Sequence, residues 1–362
     1  MKPRILIAPL DWGLGHATRC IPIIQELLRR DAEVIIGADN RPLDLLKKEF
    51  PTLEYIRFPG YAVRYVEKGN LDWAIAKQLP SILKGFKVEH KKLDGIINQY
   101  KIDAVISDSR YGVHSHKIPS VFVIHQLQIL LPSRLHWAQG SVASINKMFI
   151  NRFDECWIPD FHGEKNLAGI LSHPRTMPNK TFYVGPLSRL KKIDRVQKDF
   201  DVLVILSGPE PQRTIFEEII IEQLRKTSYR AFIVRGIPEH ATRIKLTDNI
   251  TAVSALTADE LAHTIAVSKI IVSRPGYSTI MDLSFTGVKA IFVPTPQQTE
   301  QEYLATIMKQ KKIFYSEKQN EFNLERALTA SREYSGFSSI SDDDTALSQC
   351  IENILSKIEK RN

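Results

Sequence analysis

Short β-branched and aliphatic runs alternate with longer amphipathic stretches along most of this chain. Residues 4–8, 33–37, 53–58, 103–107 and 121–124 read as strands. Between the first two, residues 16–30 place Ile23 with Leu27, and Ile24 with Leu28, at helical spacing. Pro22 is tolerable there only if it lies near the first turns. After the polar, basic segment 187–201 the rhythm restarts, with strands at 202–206, 231–234, 269–272 and 289–293. Strands separated by helices of this length imply parallel sheets with right-handed crossovers, whose ligand sites lie beyond the carboxyl ends of the strands. The expected architecture is therefore α/β. An amino-terminal Rossmann-like domain covers residues 1–190 and a second covers 197–345, their parallel sheets facing across a cleft. An amphipathic helix in 346–362, carrying Leu347, Ile351, Ile354, Leu355 and Ile358, packs back on the first domain.

The 362 residues suffice for two domains with adequate cores, and 43% hydrophobic with 25% charged residues excludes a disordered or fibrous chain. Cys20, Cys156 and Cys350 are odd in number, far apart and form no CxxC pair. That argues against a disulfide framework and a zinc site, and for a reducing, cytoplasmic setting. The apolar stretch before Asp11 is too short for a signal peptide, and no run spans a bilayer, so membrane contact is expected to be peripheral at most. Residues 1–195 hold 29 Lys and Arg against 19 Asp and Glu, whereas residues 196–362 hold 20 against 22. The basic half suits an anionic substrate or the inner face of an anionic membrane, or is simply a solvated surface. Its basic residues are dispersed and accompany no nucleic-acid-binding motif, so no nucleic-acid partner is expected.

The strongest local signal is Ser273-Arg274-Pro275-Gly276-Tyr277-Ser278-Thr279, a strand that ends in a glycine turn and opens a helix. The positive helix end favours an anion such as a diphosphate, Gly276 permits close approach, and Ser278 and Thr279 add hydroxyl donors. An ordinary capped turn reads equally well. Some twenty residues on, residues 293–302 (VPTPQQTEQE) gather amides and carboxylates suited to sugar hydroxyls. The same letters describe a helix start capped by Thr299, with Glu302 completing a capping box. After the first strand, Asp11-Trp12-Gly13-Leu14-Gly15-His16 forms a second glycine turn, in which Gly13 and Gly15 permit a tight bend and His16 is a candidate base. Asp108 and His125 also stand at strand ends. Asp108 is a rival base to His16, with Arg110 placed to pair with it and lower its pKa.

On these motifs the chain resembles the GT-B glycosyltransferases, and most closely the bacterial peptidoglycan UDP-GlcNAc transferase family that converts lipid I to lipid II. The resemblance rests on SRPGYSTIMDLSFTG, the following strand AIFVP and the glutamine-rich helix start, in that order, and on the early GLGH loop. It implies an inverting, metal-independent hexosyltransferase that needs no cofactor beyond a UDP-sugar co-substrate, UDP-GlcNAc first. The acceptor would be a sugar, a lipid-linked molecule or another small molecule. By position, residues 273–279, including Arg274, Gly276, Tyr277, Ser278 and Thr279, would surround the diphosphate. Asp282 would hold the ribose, and Gln301 with Glu302 the donor sugar. The family more often has Glu and paired Gln, so Asp282 and Glu302 are departures. Ser207 would be a further donor-site contact, Arg213 a phosphate contact, and residues 235–237 or 256–261 walls for the uracil. Gly13, Gly15 and His125 would belong to the acceptor loops, and Arg274 would offset charge on the departing UDP.

Two features point elsewhere. Residues 71–86 place Leu71, Ile75, Leu79, Ile82 and Phe86 near one face with lysines on the others, suiting either a lipid surface or core packing, and residues 127–137 offer apolar anchors. Asp342 to Asp344 spell the DxD of metal-dependent glycosyltransferases, yet precede an expected helix and read as its cap. The competing functions are a nucleotide-sugar hydrolase or epimerase on the same fold, and a noncatalytic nucleotide-sugar-binding accessory protein.

Overall fold

In the computed structural model the chain forms two units, Met1–Leu187 with Asp343–Asn362, and Ser188–Asp342. The structure describes all residues except 1, 62–70, 191–192, 194–195, 238–241, 339–344 and 362, and leaves out the side chains of 71–77 and 79. The Asp342–Asp344 motif and much of the apolar face expected in 71–86 lie outside the described residues.

The first unit runs β1 (Arg4–Pro9), α1 (Leu14–Arg29), β2 (Glu33–Ala38), α2 (Asn40–Glu49), β3 (Glu54–Arg57), α3 (Leu71–Tyr100), β4 (Ala104–Asp108), β5 (Ser120–Val123), α4 (Gln139–Ile150), β6 (Glu155–Ile158) and β7 (Thr181–Tyr183). Its sheet has the order β3-β2-β1-β4-β5-β6-β7, every neighbouring pair parallel. The central strands are buried on both faces, which is why they read as continuous aliphatic runs. The order reverses between β1 and β4, where crossovers leave in opposite directions and open a crevice at the strand ends. His16, in the first turn of α1, follows β1, and Asp108 ends β4. Pro22 lies in the third turn of α1, deeper than expected, because the helix begins at Leu14.

The second unit contains β8 (Phe200–Ile205), α5 (Gln212–Leu224), β9 (Ala231–Val234), β10 (Arg243–Lys245), β11 (Ile250–Val253), α6 (Ala258–Ala266), β12 (Ser268–Ser273), α7 (Tyr277–Thr286), β13 (Ala290–Phe292), α8 (Thr299–Gln310), β14 (Tyr315–Ser316) and α9 (Leu324–Ala330). Its sheet runs β10-β11-β9-β8-β12-β13-β14, parallel except for β10 at the edge. The switch point falls between β8 and β12, at Ser207 and at the turn that opens α7. Val202, Val204, Ile233, Val272, Ile291 and Phe216 meet in its core.

The last helix, α10 (Thr345–Glu359), belongs to the first unit. Leu347, Ile351, Ile354 and Ile358 are buried, while Ser348 donates to Glu26 of α1 and Lys357 pairs with Glu155 of β6. In α3, Phe86 packs edge-on against Tyr61 and Phe149, so the described part of that face serves the core, and Lys84, Lys87, Lys91 and Lys92 face solvent.

Candidate active site

At the switch point of the first sheet, His16 Nδ1 lies 2.7 Å from Oδ1 of Asp108. Arg19 stands three residues along α1 from His16, on the same helix face. Its guanidinium takes both oxygens of Asp108, approaches His16 Nδ1 at 2.8 Å, and reaches Ser109 Oγ and His125 Nδ1 at 3.0 Å each. Ser109 adopts φ 59°, an uncommon value for a residue other than glycine, at the bend that ends β4. His16 retains 21% side-chain exposure and Asp108 none.

This corrects the expectation that Asp108 competes with His16 as base. An enclosed carboxylate cannot reach a substrate, and its place is behind the imidazole. Burial alone would raise its pKa, but the charges and hydrogen bonds of Arg19 and His16 outweigh that and hold it at about 2. For His16, burial and the Arg19 charge prevail over Asp108 and lower the pKa below the usual imidazole value. His16 is therefore neutral at physiological pH and able to take up a proton. Arg110 does not pair with Asp108: it bonds Glu89 at 2.9 Å and the Phe58 carbonyl at 2.8 Å, with its charge over the Phe58 ring. Gly13 has an extended φ of 174°, no atom lies within 4 Å of the place its Cβ would take, and Gly15 lies within α1. The tight strand-to-helix turn expected of this segment forms between Pro9 and Leu14, with neither glycine in the left-handed region.

In the second unit, Gly276 precedes α7 with φ −69° and ψ 144°, values open to any residue, and a Cβ there would meet nothing nearer than Thr279 Oγ1 at 3.8 Å. The protein's own packing does not require glycine. As the N-cap of α7, Gly276 supplies no capping side chain to the first turn of the helix, whose N-terminal end favours an anion. Ser278 and Thr279 are half-buried beside it. Across the switch point Ser207 is exposed, and Gly208 has φ +104°, which favours glycine. The hydroxyls of Ser273 and Thr295, at the ends of β12 and just beyond β13, are buried with no hydrogen-bond partner among the described residues.

Several expected donor contacts have other duties. Arg274 is wholly buried: it donates to the carbonyls of Val293 (2.9 Å), Pro294 (3.1 Å) and Gln212 (2.9 Å) and to the side chain of Gln319, over the Phe216 ring. Burial lowers its pKa to about 10. Its role is to tie the loop after β13 to the start of α5. The Tyr277 side chain is buried in the core and is not offered to a ligand. Arg213 is held by Glu210 (2.6 Å) and Glu217 (2.7 Å) rather than offered to a phosphate. Gln301 Oε1 accepts from Thr295 N at 2.8 Å. Exposed Glu302 accepts from Gln297 N at 3.1 Å; since α8 begins after Gln298, Thr299 is its first residue and no Thr299 capping box forms. Asp282 accepts from Ser188 Oγ at 2.6 Å, and burial raises its pKa to about 6. Ser188 and Arg19 were missed as site residues. Arg19 had a signal, three positions after His16, whereas Ser188 lies 94 residues from its partner and had none.

Among the described residues, no group of three or more His, Cys, Asp or Glu is placed to hold a metal ion, and no helix is long and apolar enough to cross a membrane. Residues 213–337 match the glycosyltransferase family 28 C-terminal domain. An uncharacterized glycosyltransferase of Methanosarcina mazei is 23% identical over 334 residues, covering 85% of this chain and 84% of the relative. The UDP-N-acetylglucosamine–N-acetylmuramyl-(pentapeptide) pyrophosphoryl-undecaprenol N-acetylglucosamine transferase of Rickettsia bellii is 23% identical over 344 residues, covering 90% and 88%. The crystal structure of the calicheamicin glycosyltransferase CalG4 superposes with a TM-score of 0.64 at 13% identity, covering 98% of each chain. Residues 213–337 thus form a glycosyltransferase family 28 C-terminal domain, and the chain as a whole is a glycosyltransferase of GT-B fold.

Proposed function

We propose that this enzyme transfers a sugar from a UDP donor, with UDP-GlcNAc the leading candidate, to an acceptor hydroxyl, inverting the anomeric carbon without a metal. The observation that carries the reading is the His16–Asp108 pair, a neutral imidazole backed by a fully buried carboxylate at a sheet switch point. His16 Nε2 takes the acceptor's proton as its oxygen attacks the sugar, and the diphosphate leaves with the bonding pair. The amino end of α7, with Gly276, Ser278 and Thr279, holds the diphosphate and offsets its growing charge, the part first expected of Arg274. Asp282 addresses the ribose; Gln301 and Glu302 shape the loop beside the sugar. The donor assignment draws on the activity named for the Rickettsia relative.

The acceptor is a sugar, a lipid-linked molecule or another small molecule. Trp137, 83% exposed, and the exposed Ile145 and Met148 of α4 lie in the basic half of the chain and suit peripheral contact with an anionic membrane on the cytoplasmic side. The test is thermal stabilisation by UDP, GDP, ADP and dTDP. A ligand at about 100 times its Kd adds roughly 2.7 kcal/mol. A UDP-selective shift supports the reading, and no shift with any nucleotide removes it. Consumption of UDP-GlcNAc without an acceptor would instead identify a hydrolase or epimerase.

A further inference from the structure

One guanidinium contacts two imidazoles at the switch point of the first sheet, and their surroundings differ in kind. His16 Nδ1 lies between an atom that only accepts, Asp108 Oδ1 at 2.7 Å, and one that only donates, Arg19 Nη2 at 2.8 Å. A bare Nδ1 would set its lone pair against a carboxylate oxygen. A protonated Nδ1 donates to Asp108, and the two hydrogens of Arg19 Nη2 still have acceptors in Asp108 Oδ1 and Ser109 Oγ. The proton therefore sits on Nδ1, and Nε2 carries the lone pair. His125 meets the opposite condition. Its Nδ1 lies 3.0 Å from Arg19 Nη1, which has no lone pair, so Nδ1 accepts and the proton sits on Nε2.

We propose that Arg19 is the positioning residue of this site, fixing two neighbouring histidines in opposite tautomers, His16 as proton acceptor at Nε2 and His125 with its proton on Nε2. The proposal rests on the transfer reading above. In the step, the hydroxyl proton passes to His16 Nε2 while one oxygen lone pair forms the bond to the anomeric carbon. The bond from the anomeric carbon to the diphosphate oxygen breaks with its electrons going to UDP. Arg19 touches neither reacting atom. The groups facing His16 are Arg19 on its own helix, Asp108 of β4, and His125 beyond β5.

The test is a two-bond proton–nitrogen spectrum of the full chain labelled at its ten histidines, recorded at pH 7, with His16→Gln and His125→Gln assigning the two rings. The expected pattern is His16 protonated at Nδ1 and bare at Nε2, and His125 the reverse. Finding the same tautomer in both rings, or the two reversed, overturns the proposal in the wild type before any Arg19 variant is made. Arg19→Lys keeps a cation for Asp108 but lacks the fork that reaches His125. It should leave His16 as it is and turn His125 into a tautomer mixture, and an unchanged His125 overturns the role given to Arg19. In Arg19→Met/Asp108→Asn, which removes both buried charges, both rings should become mixtures; two unchanged rings count against it in the same way. The spectra need no substrate. A wild type with the expected tautomers but no UDP shift therefore refutes the transfer reading alone.

Discussion

His16 and Asp108 are 92 residues apart in sequence, yet meet at 2.7 Å because β1 and β4 are neighbours in register, Pro9 opposite Asp108. The parallel pairing brings the loop after one strand and the end of the other to the same edge of the sheet, at the point where the strand order reverses. A helix start then supplies the imidazole and a buried strand end the carboxylate. One reaches solvent and the other does not, and this asymmetry separates the proton acceptor from the group that orients it.

His16→Ala is expected to lower sugar transfer by about 10²–10⁴-fold, the usual range for loss of a general base, while the thermal shift given by UDP persists. Asp108→Asn keeps the shape but replaces the acceptor, so it should also lower turnover, with wild-type-like UDP stabilisation. The pH profile follows from the direction of the His16 shift. Its proton is lost below the usual imidazole pKa, so the rate should rise with pH on an acid limb centred below 6.5 and level off above it. A limb centred above 6.5 would contradict the arrangement of Arg19 and His16.

Arg274→Met should act on folding rather than chemistry. The wild-type guanidinium serves the Val293, Pro294 and Gln212 carbonyls and the Gln319 side chain in a dry setting. Leaving such groups unpaired costs about 1–3 kcal/mol each before relaxation, and a net loss of about 3 kcal/mol is expected. Chemical denaturation measures it. A variant of wild-type stability that has lost UDP binding would return Arg274 to the donor site.

The fold was largely legible because buried parallel strands leave a clear trace: residues 231–234 match β9 to the residue, and β1, β2, β4, β5, β8, β12 and β13 lie within two residues of their expected bounds. What escaped was mostly short or at an edge, but the interior strands Glu155–Ile158 and Ile250–Val253 were missed as well, although they are as long as β9. Thr181–Tyr183, Arg243–Lys245 and Tyr315–Ser316 have too few residues for a period to show. For the site, the glycine turns identified both sheet switch points, but the letters did not say where each side chain was buried. Arg274 and Tyr277 have the right chemistry for a diphosphate and point inward instead. Arg19, which the sequence reading did not single out, is the centre of the first site because α1 begins at Leu14 and carries it round to Asp108.

Gly276→Ala separates ligand approach from structural need. The backbone is already in a conformation alanine adopts, and the added methyl has 3.8 Å of clearance from Thr279 Oγ1. Stability without ligand should stay within about 0.5 kcal/mol of wild type or rise slightly, since alanine has less conformational freedom in the unfolded chain. The shift with UDP should shrink, and in Gly276→Trp it should vanish. An undiminished shift in Gly276→Trp would place the diphosphate elsewhere.

Asp282 has the opposite sign to Asp108. Burial raises its folded pKa from 3.8 to about 6, despite the Ser188 hydrogen bond and the Arg189 charge, so the folded state holds its proton more tightly than the unfolded chain does. The stability this gives is present in full below pH 3.8 and is lost as pH rises through 6; at pH 8 the ionised carboxylate is a net cost. Asp282→Asn removes the charge yet keeps an oxygen for Ser188. Relative to wild type it should therefore gain stability as pH rises from about 4 to about 8, by about 1–2 kcal/mol, below the limit of about 1.4 kcal/mol per pKa unit because the group is partly open to water. Denaturation midpoints at the two ends of that range measure the change. If Asp282 also holds the ribose, the same variant should show a smaller UDP shift at the alkaline end although its unliganded form is more stable, a combination that a purely structural carboxylate would not produce.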